Sequence, residues 1–336
     1  MTFKIRRTSA TAVPARRLLL LLLCAVLLPG CAGRALPDGQ QNQVVVAQTA
    51  QAAPLLVTRA PSFLLEDAQN RQNRIGRVEA TEEKGRESVG INPDIPVIYA
   101  ETRIFPTERG TYTNLIYRVH FSGTPFSICP FYLGAGKNVG LLVILTLDAQ
   151  QRPLLLTTAN TCGCYAASIP TEFLPPALYP DDWPSSEQLP VFGEQLPARL
   201  KAVQDDETIQ VLVRGDVHRV RDIRVIPRST LSLAPVRQAE IATLESLKSL
   251  PLADGTLTSF YYDHWPLRGY VKGALKPWES LLLSLASLDL FIGMDKEYGK
   301  TQESGNPFFT SLKPWNRSDS DLNDFAAYLR FNGWKL

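Results

Sequence analysis

Histidine and sulfur are scarce in this chain: its 336 residues hold three histidines, five cysteines and two methionines. Each shortage closes off chemistry. With the initiator set aside, Met294 is the one methionine left, which excludes a methionine-rich copper site. The short signatures of common catalysts are missing too. No G-x-S-x-G, H-E-x-x-H or C-x-x-C-H occurs, so a serine-hydrolase elbow, a zincin helix and a c-type haem site have no local support. The run "GAGKNVG", Gly134 to Gly140, invites a phosphate-loop reading. However, Asn138 follows Lys137 where Ser or Thr is needed, and Phe131 stands where the first glycine belongs. A glycine turn before a buried strand accounts for it.

What is present begins with an export signal. The segment "MTFKIRRTSATAVPARR" carries Lys4, Arg6, Arg7, Arg16 and Arg17 with no acidic residue, and the apolar run Leu18 to Leu28 follows. A basic n-region and an h-region of roughly ten residues describe a secretory signal, because a membrane span needs about twenty apolar residues. Leu28-Pro29-Gly30-Cys31 resembles the lipobox of bacterial lipoproteins. That resemblance implies a signal peptide over 1–30, a lipidated (palmitate-type acylated) Cys31 as the first mature residue, and a membrane anchor. Ala32 in place of Asp implies outer-membrane sorting in that class. The pair Arg16-Arg17 leaves open whether export runs by the general or the twin-arginine route.

The whole chain has 35 basic and 33 acidic residues; removal of 1–30, with its five basic residues, leaves 30 against 33. The mature part is slightly acidic and has no basic stretch, which removes electrostatic support for a nucleic-acid partner. The partners that remain are the membrane, through the N-terminal lipid, and other envelope components or a small ligand.

Processing also reduces the cysteines to Cys129, Cys162 and Cys164. In an oxidising compartment an odd number cannot all pair within the chain, so one disulfide leaves one thiol over, or thiolates ligate a metal. An extended "TCGCY" segment would point Cys162 and Cys164 to one face, with Gly163 permitting close backbone approach. Three readings follow: a disulfide from Cys129 to Cys162 or Cys164, a soft-metal shell for zinc or copper(I), or a redox-active thiol beside a bridge. Metal candidates are Cys162, Cys164 and His264. His264, in "YYDHWP" beside Asp263, is the functional candidate among the histidines, and His120, in "YRVHF", reads as a strand residue.

The expected fold class is α+β, with β-rich antiparallel hairpins in the first two thirds and helices in the last. Residues 31–60, rich in Ala and Gln, read as a lipidated cysteine and flexible tether, and 61–94 as a polar loop or marginal helix. From 95 to 336 a single domain is expected. Its hairpins are Val97–Phe105 with Tyr112–Phe121, Val139–Leu147 with Leu154–Thr158, and a pair turning at Gly215-Asp216. The nearly continuous apolar character of Val139–Leu147 predicts burial on both faces. Helices are predicted at Arg237–Leu250 and Trp278–Phe291, and in "DSDLNDFAAYLRF" with Leu322, Phe325, Ala326 and Leu329 along one face. A further strand pair is predicted in "LTSFYYDHWPLRGYV".

The segments "NVGLLVILTLDAQQRPLL", "TCGCY" and "FFTSLKPW…LRFNGWKL" together resemble a group of uncharacterised proteobacterial lipoproteins, over most of the chain after about residue 95. The resemblance implies the compartment and a single-domain architecture, and no chemistry. Some members of that group carry a histidine near the Cys-Gly-Cys; this chain has Asn160 there, a departure that weighs against a metal site. The functional expectation is a lipid-anchored periplasmic protein that binds or assembles with envelope material. The alternative is a thiol-redox or metal-binding enzyme centred on Cys129, Cys162, Cys164 and His264.

Overall fold

The structure is a computed structural model describing residues 42–48, 54–83 and 85–336. The expected signal peptide and the expected lipidation site, Cys31, lie outside the described residues. In chain order the elements are β1 (Gln43–Ala47), α1 (Pro54–Thr58), β2 (Ser62–Leu65), β3 (Arg77–Glu83), β4 (Arg86–Asn92), β5 (Val97–Thr107), β6 (Gly110–Thr124), β7 (Gly136–Leu147), β8 (Pro153–Asn160) and β9 (Ala167–Pro170). There follow β10 (Gln188–Val191), β11 (Glu194–Pro197), β12 (Glu207–Val213), β13 (Val220–Pro227), β14 (Val236–Thr243), β15 (Leu250–Pro251) and β16 (Leu257–Thr258). The chain closes with α2 (Pro277–Ser287), α3 (Thr301–Ser304) and α4 (Phe325–Phe331). The molecule is mostly β, with helices in its C-terminal part.

Ten strands form one curled mixed sheet in the order β13-β12-β2-β1-β14-β5-β6-β7-β8-β9. The run from β5 to β9 is an antiparallel meander, whereas β1/β14, β2/β12 and β14/β5 pair in parallel. Period-two alternation divides the meander between two cores. Leu115, Tyr117, Val119 and Phe121 of β6 join Leu141, Val143 and Leu145 of β7 on one face. Ile116, Leu142 and Ile144 face the other way, against Phe260, Phe308, Leu322, Phe325 and Leu329 of the C-terminal third. Both faces of β7 and β8 are therefore covered, as their unbroken apolar runs predict. Arg118 and His120 share the parity of Ile116, so their side chains belong to the face on which the C-terminal third lies.

Several expectations need correction. Residues 43–47, expected in a tether, form a strand inside the large sheet, with Val44 and Val45 buried; three consecutive valines suffice for a short strand once β2 and β14 flank it. Between 61 and 94 lie β2 and the hairpin β3/β4 in place of a loop or marginal helix. The polar, charge-rich sequence of that hairpin masked its strands, because much of β4 faces solvent. The segment Arg237–Leu250, expected as a helix, is β14 followed by a 3₁₀ turn over Leu244–Lys248. Parallel pairing with β1 and β5 overrides its three- and four-residue apolar spacing. The predicted helix at Trp278 exists as α2, yet it buries Glu279 and Ser287 and turns its leucines outward. The expected strand pair around His264 is reduced to a single bridge, Tyr261 with Val271.

Candidate functional site

Strand β8 ends at Asn160, and the chain turns at once. The Asn160 amide donates to the Cys164 carbonyl at 2.9 Å, and the Gly163 amide donates to the Asn160 carbonyl at 2.8 Å. The two cysteines thus sit in a tight turn and not in an extended strand. Gly163 is required there: its φ is +89°, and a Cβ would come within 2.0 Å of the Phe309 carbonyl oxygen. The turn brings the thiols together, with the Cys164 amide donating to Cys162 Sγ at 3.3 Å and the Cys164 thiol hydrogen-bonded to the Cys162 sulfur. Cys162 is buried, and Cys164 is half-buried beside Tyr165, whose ring meets the exposed Phe192 at 5.2 Å.

Around this turn the fold buries a group of charges. Lys276 Nζ lies 3.0 Å from Asp295 Oδ2, and the two side chains are 4% and 0% exposed. Asp295 Oδ1 also accepts from Thr161 Oγ1 and from the Gly140 amide at 3.2 Å. A side chain at residue 140 would close that amide off, since its Cβ would lie 2.7 Å from Thr161 Oγ1 and 2.9 Å from His120 Nδ1. Lys296 Nζ donates to the Cys162 carbonyl at 2.5 Å. Arg118 Nη1 donates to the Lys296 carbonyl at 2.8 Å, and its Nε donates to His120 Nε2 at 2.9 Å. A ring nitrogen that accepts from arginine carries no proton, so His120 is neutral with its proton on Nδ1. Burial first, and Arg118 second, hold its pKa well below the ordinary histidine value.

Burial of so many charges is costly unless each has a counterpart. Arg118, Lys276 and Lys296 supply three buried cations, and Asp295, Glu279 and Glu297 supply three buried carboxylates. The thiols at the turn respond to these charges. Burial pushes the Cys162 thiol up, but the hydrogen bond from Cys164 and the Lys276 ammonium together outweigh it, and its pKa is lowered. The Cys164 thiol, as the donor of that bond and also buried beside a negative sulfur, is held well above its usual value. Burial opposes the charge on Lys276, but Asp295 and then the Cys162 thiolate overcome it and raise its pKa. Lys296 has no carboxylate partner at that distance, and burial leaves it lowered.

Of the residues singled out from the sequence, the structure joins only Cys162 and Cys164. All three cysteines are free thiols, and Cys129 lies exposed on the loop between β6 and β7, so no bridge from Cys129 to the pair is present. His264 is exposed in an open groove with Glu87, Tyr262, Asp263 and Lys272, and its ring touches Asp263 beside it at 3.3 Å. That groove contains no cysteine, which dissolves the expected centre of Cys129, Cys162, Cys164 and His264. Among the described residues no cluster of three or more histidines, cysteines or carboxylates is arranged to hold a metal ion. His120 is in strand β6, as read, yet it also belongs to the buried polar group.

Sequence reasoning missed Arg118, Lys276, Glu279, Asp295 and Lys296. Asp295-Lys296-Glu297 reads as a solvated charge run, whereas all three are buried, and no periodicity signals it. No known family, no curated protein and no solved structure matches the chain.

Proposed function

We propose that this is a periplasmic lipoprotein, held at the outer membrane by a lipid on Cys31, whose folded body carries out thiol–disulfide exchange at Cys162 and Cys164. The observation that carries the chemistry is geometric: two free thiols share one tight turn, with the Cys164 amide on Cys162 Sγ at 3.3 Å, next to the buried Lys276–Asp295 pair. One thiol is lowered and its neighbour raised by the same hydrogen bond, beside a buried ammonium. Perturbed pairs of this kind, held by groups whose burial is otherwise unfavourable, mark functional sites. Lys276 and Lys296 beside the sulfurs favour an anionic thiolate and repel a metal cation, which separates this reading from a zinc or copper(I) site.

The half-buried Cys164 is the sulfur a partner can reach. Its proton passes to the Cys162 sulfur, and the Cys164 thiolate attacks one sulfur of a partner disulfide. A mixed disulfide forms and one partner thiolate leaves. Cys162 then gives its proton to that leaving thiolate and attacks Cys164, releasing the second partner sulfur, which takes its proton from water. The partner disulfide is reduced to two thiols while Cys162 and Cys164 are oxidised to one disulfide; the reverse direction oxidises a partner dithiol.

Trapping tests the order of attack. With Cys162→Ser, glutathione disulfide should accumulate as a stable mixed disulfide on Cys164, whereas the wild type should resolve it to an intramolecular bridge. Glutathionylation confined to Cys129 in both proteins would overturn the proposal.

A further inference from the structure

Helix α2 is built inside out. Its buried residues are Glu279 and Ser287, while Leu281, Leu285 and the C-capping Leu288 are 66%, 88% and 75% exposed. The spacing of these three leucines is i, i+4, i+7, which places them in one stripe along the helix. Leu282 on the helix and Leu290 just beyond its end are exposed as well. The inversion has a cause in the site described above: Glu279 is drawn inward to the buried charges around the cysteines, and the leucines are left on the outside. A contiguous exposed patch of this kind has a partner.

The residues at the edge of the stripe indicate which. The turn Pro314–Asn316 is held at the C-terminal end of α2 by Arg317, whose Nη2 donates to the Ser287 carbonyl at 2.7 Å and lies 3.3 Å from Asp289. That turn presents Leu312, Lys313 and Trp315, all exposed, with Trp315 at 75%. Leucines flanked by a tryptophan and a lysine form the pattern of a surface that lies in the interfacial layer of a bilayer, where the indole sits at headgroup level and the ammonium reaches water.

The length of chain before the described body agrees. Between Cys31 and the first strand residue, Gln43, lie eleven residues, which span at most about 40 Å when extended. A body held so close meets the leaflet at high effective concentration, so a weak apolar contact is enough to orient it. We infer that the outward leucine stripe of α2, with Leu312 and Trp315, seats the body on the phospholipid leaflet that carries its own anchor. This rests on the lipid-anchor reading only for its setting, because the surface binds lipid with or without acylation.

The experiment uses the mature chain without its lipid, residues 32–336, with vesicles of phosphatidylethanolamine and phosphatidylglycerol. Flotation should show binding, and tryptophan fluorescence should blue-shift as Trp315 enters the interface. Leu281→Ser/Leu285→Ser should weaken vesicle binding by roughly tenfold or more while leaving the thermal transition in place, since both positions are solvent-exposed. Trp315→Ala should abolish most of the blue shift. Absence of vesicle binding by the folded wild type overturns the inference, and so does a monomer–dimer equilibrium that the leucine substitutions abolish without altering flotation. Failure of acyl labelling on Cys31 would refute the anchor and leave these results unaffected.

Discussion

Replacement of Lys276 by methionine removes the ammonium that pairs with Asp295 at 3.0 Å in a fully buried setting. Loss of one partner of a buried pair costs about 3–5 kcal/mol, because the remaining charge is left without its counterion. Asp295 keeps two donors, Thr161 Oγ1 and the Gly140 amide, which places Lys276→Met near the lower end, at about 3 kcal/mol. Asp295→Asn strands the ammonium and should cost a similar ~3 kcal/mol. The double variant removes both charges and keeps an amide oxygen for Thr161 and Gly140, so its cost should fall to about 1–2 kcal/mol. Independent effects would sum to about 6 kcal/mol, so the cycle should show a coupling of about 4 kcal/mol. Urea unfolding of the four proteins, at unchanged m-value, measures it. Additivity to within ~0.5 kcal/mol would refute the reasoning. Lys276→Met should also slow alkylation of the Cys162–Cys164 pair, because that ammonium helps hold the thiolate they share.

Acid stability should depend on His218, which is buried and held by that burial to a pKa of about 4 against 6.5 for the free side chain. The unfolded state therefore binds the extra proton first, so this residue's share of stability, ~3 kcal/mol, is lost as pH falls from about 6.5 to about 4, in addition to a loss of the same sign from His120. His218→Gln should flatten that slope in pH-dependent urea melts, and an unchanged slope would contradict the assignment. Val45→Asp puts an unpaired carboxylate between β2 and β14 and should cost at least ~3 kcal/mol by the same melts; a near-neutral effect would return residues 43–47 to the tether. Cys129 is free and exposed, so Cys129→Ala should stay within ~0.5 kcal/mol of wild type. A loss of ~2–5 kcal/mol would instead reveal a disulfide.

The meander β5 to β8 was legible because β-branched and aromatic runs broken by "PTERG" and "DAQQRP" encode it locally. Strands β1 and β14 were not, since each gains its identity only by parallel pairing with distant chain. The candidate site divides in the same way. Cys162 and Cys164 are neighbours in sequence and could be read directly. Their surroundings come from residues 118, 140, 276 and 295–296, joined by the C-terminal third folding over one face of the sheet. A charge buried by tertiary contact looks, along the sequence, like any charge on a surface.

Equilibration with glutathione buffers of graded ratio, followed by alkylation and mass mapping, tests the central claim most directly. The thiolate stabilised beside Lys276 favours the reduced pair and so makes its disulfide more oxidising. A single Cys162–Cys164 bridge should therefore titrate with a potential above about −300 mV, the region below which structural bridges fall, while Cys129 stays alkylatable throughout. A bridge that engages Cys129, or a pair that stays reduced at every ratio, would contradict the account.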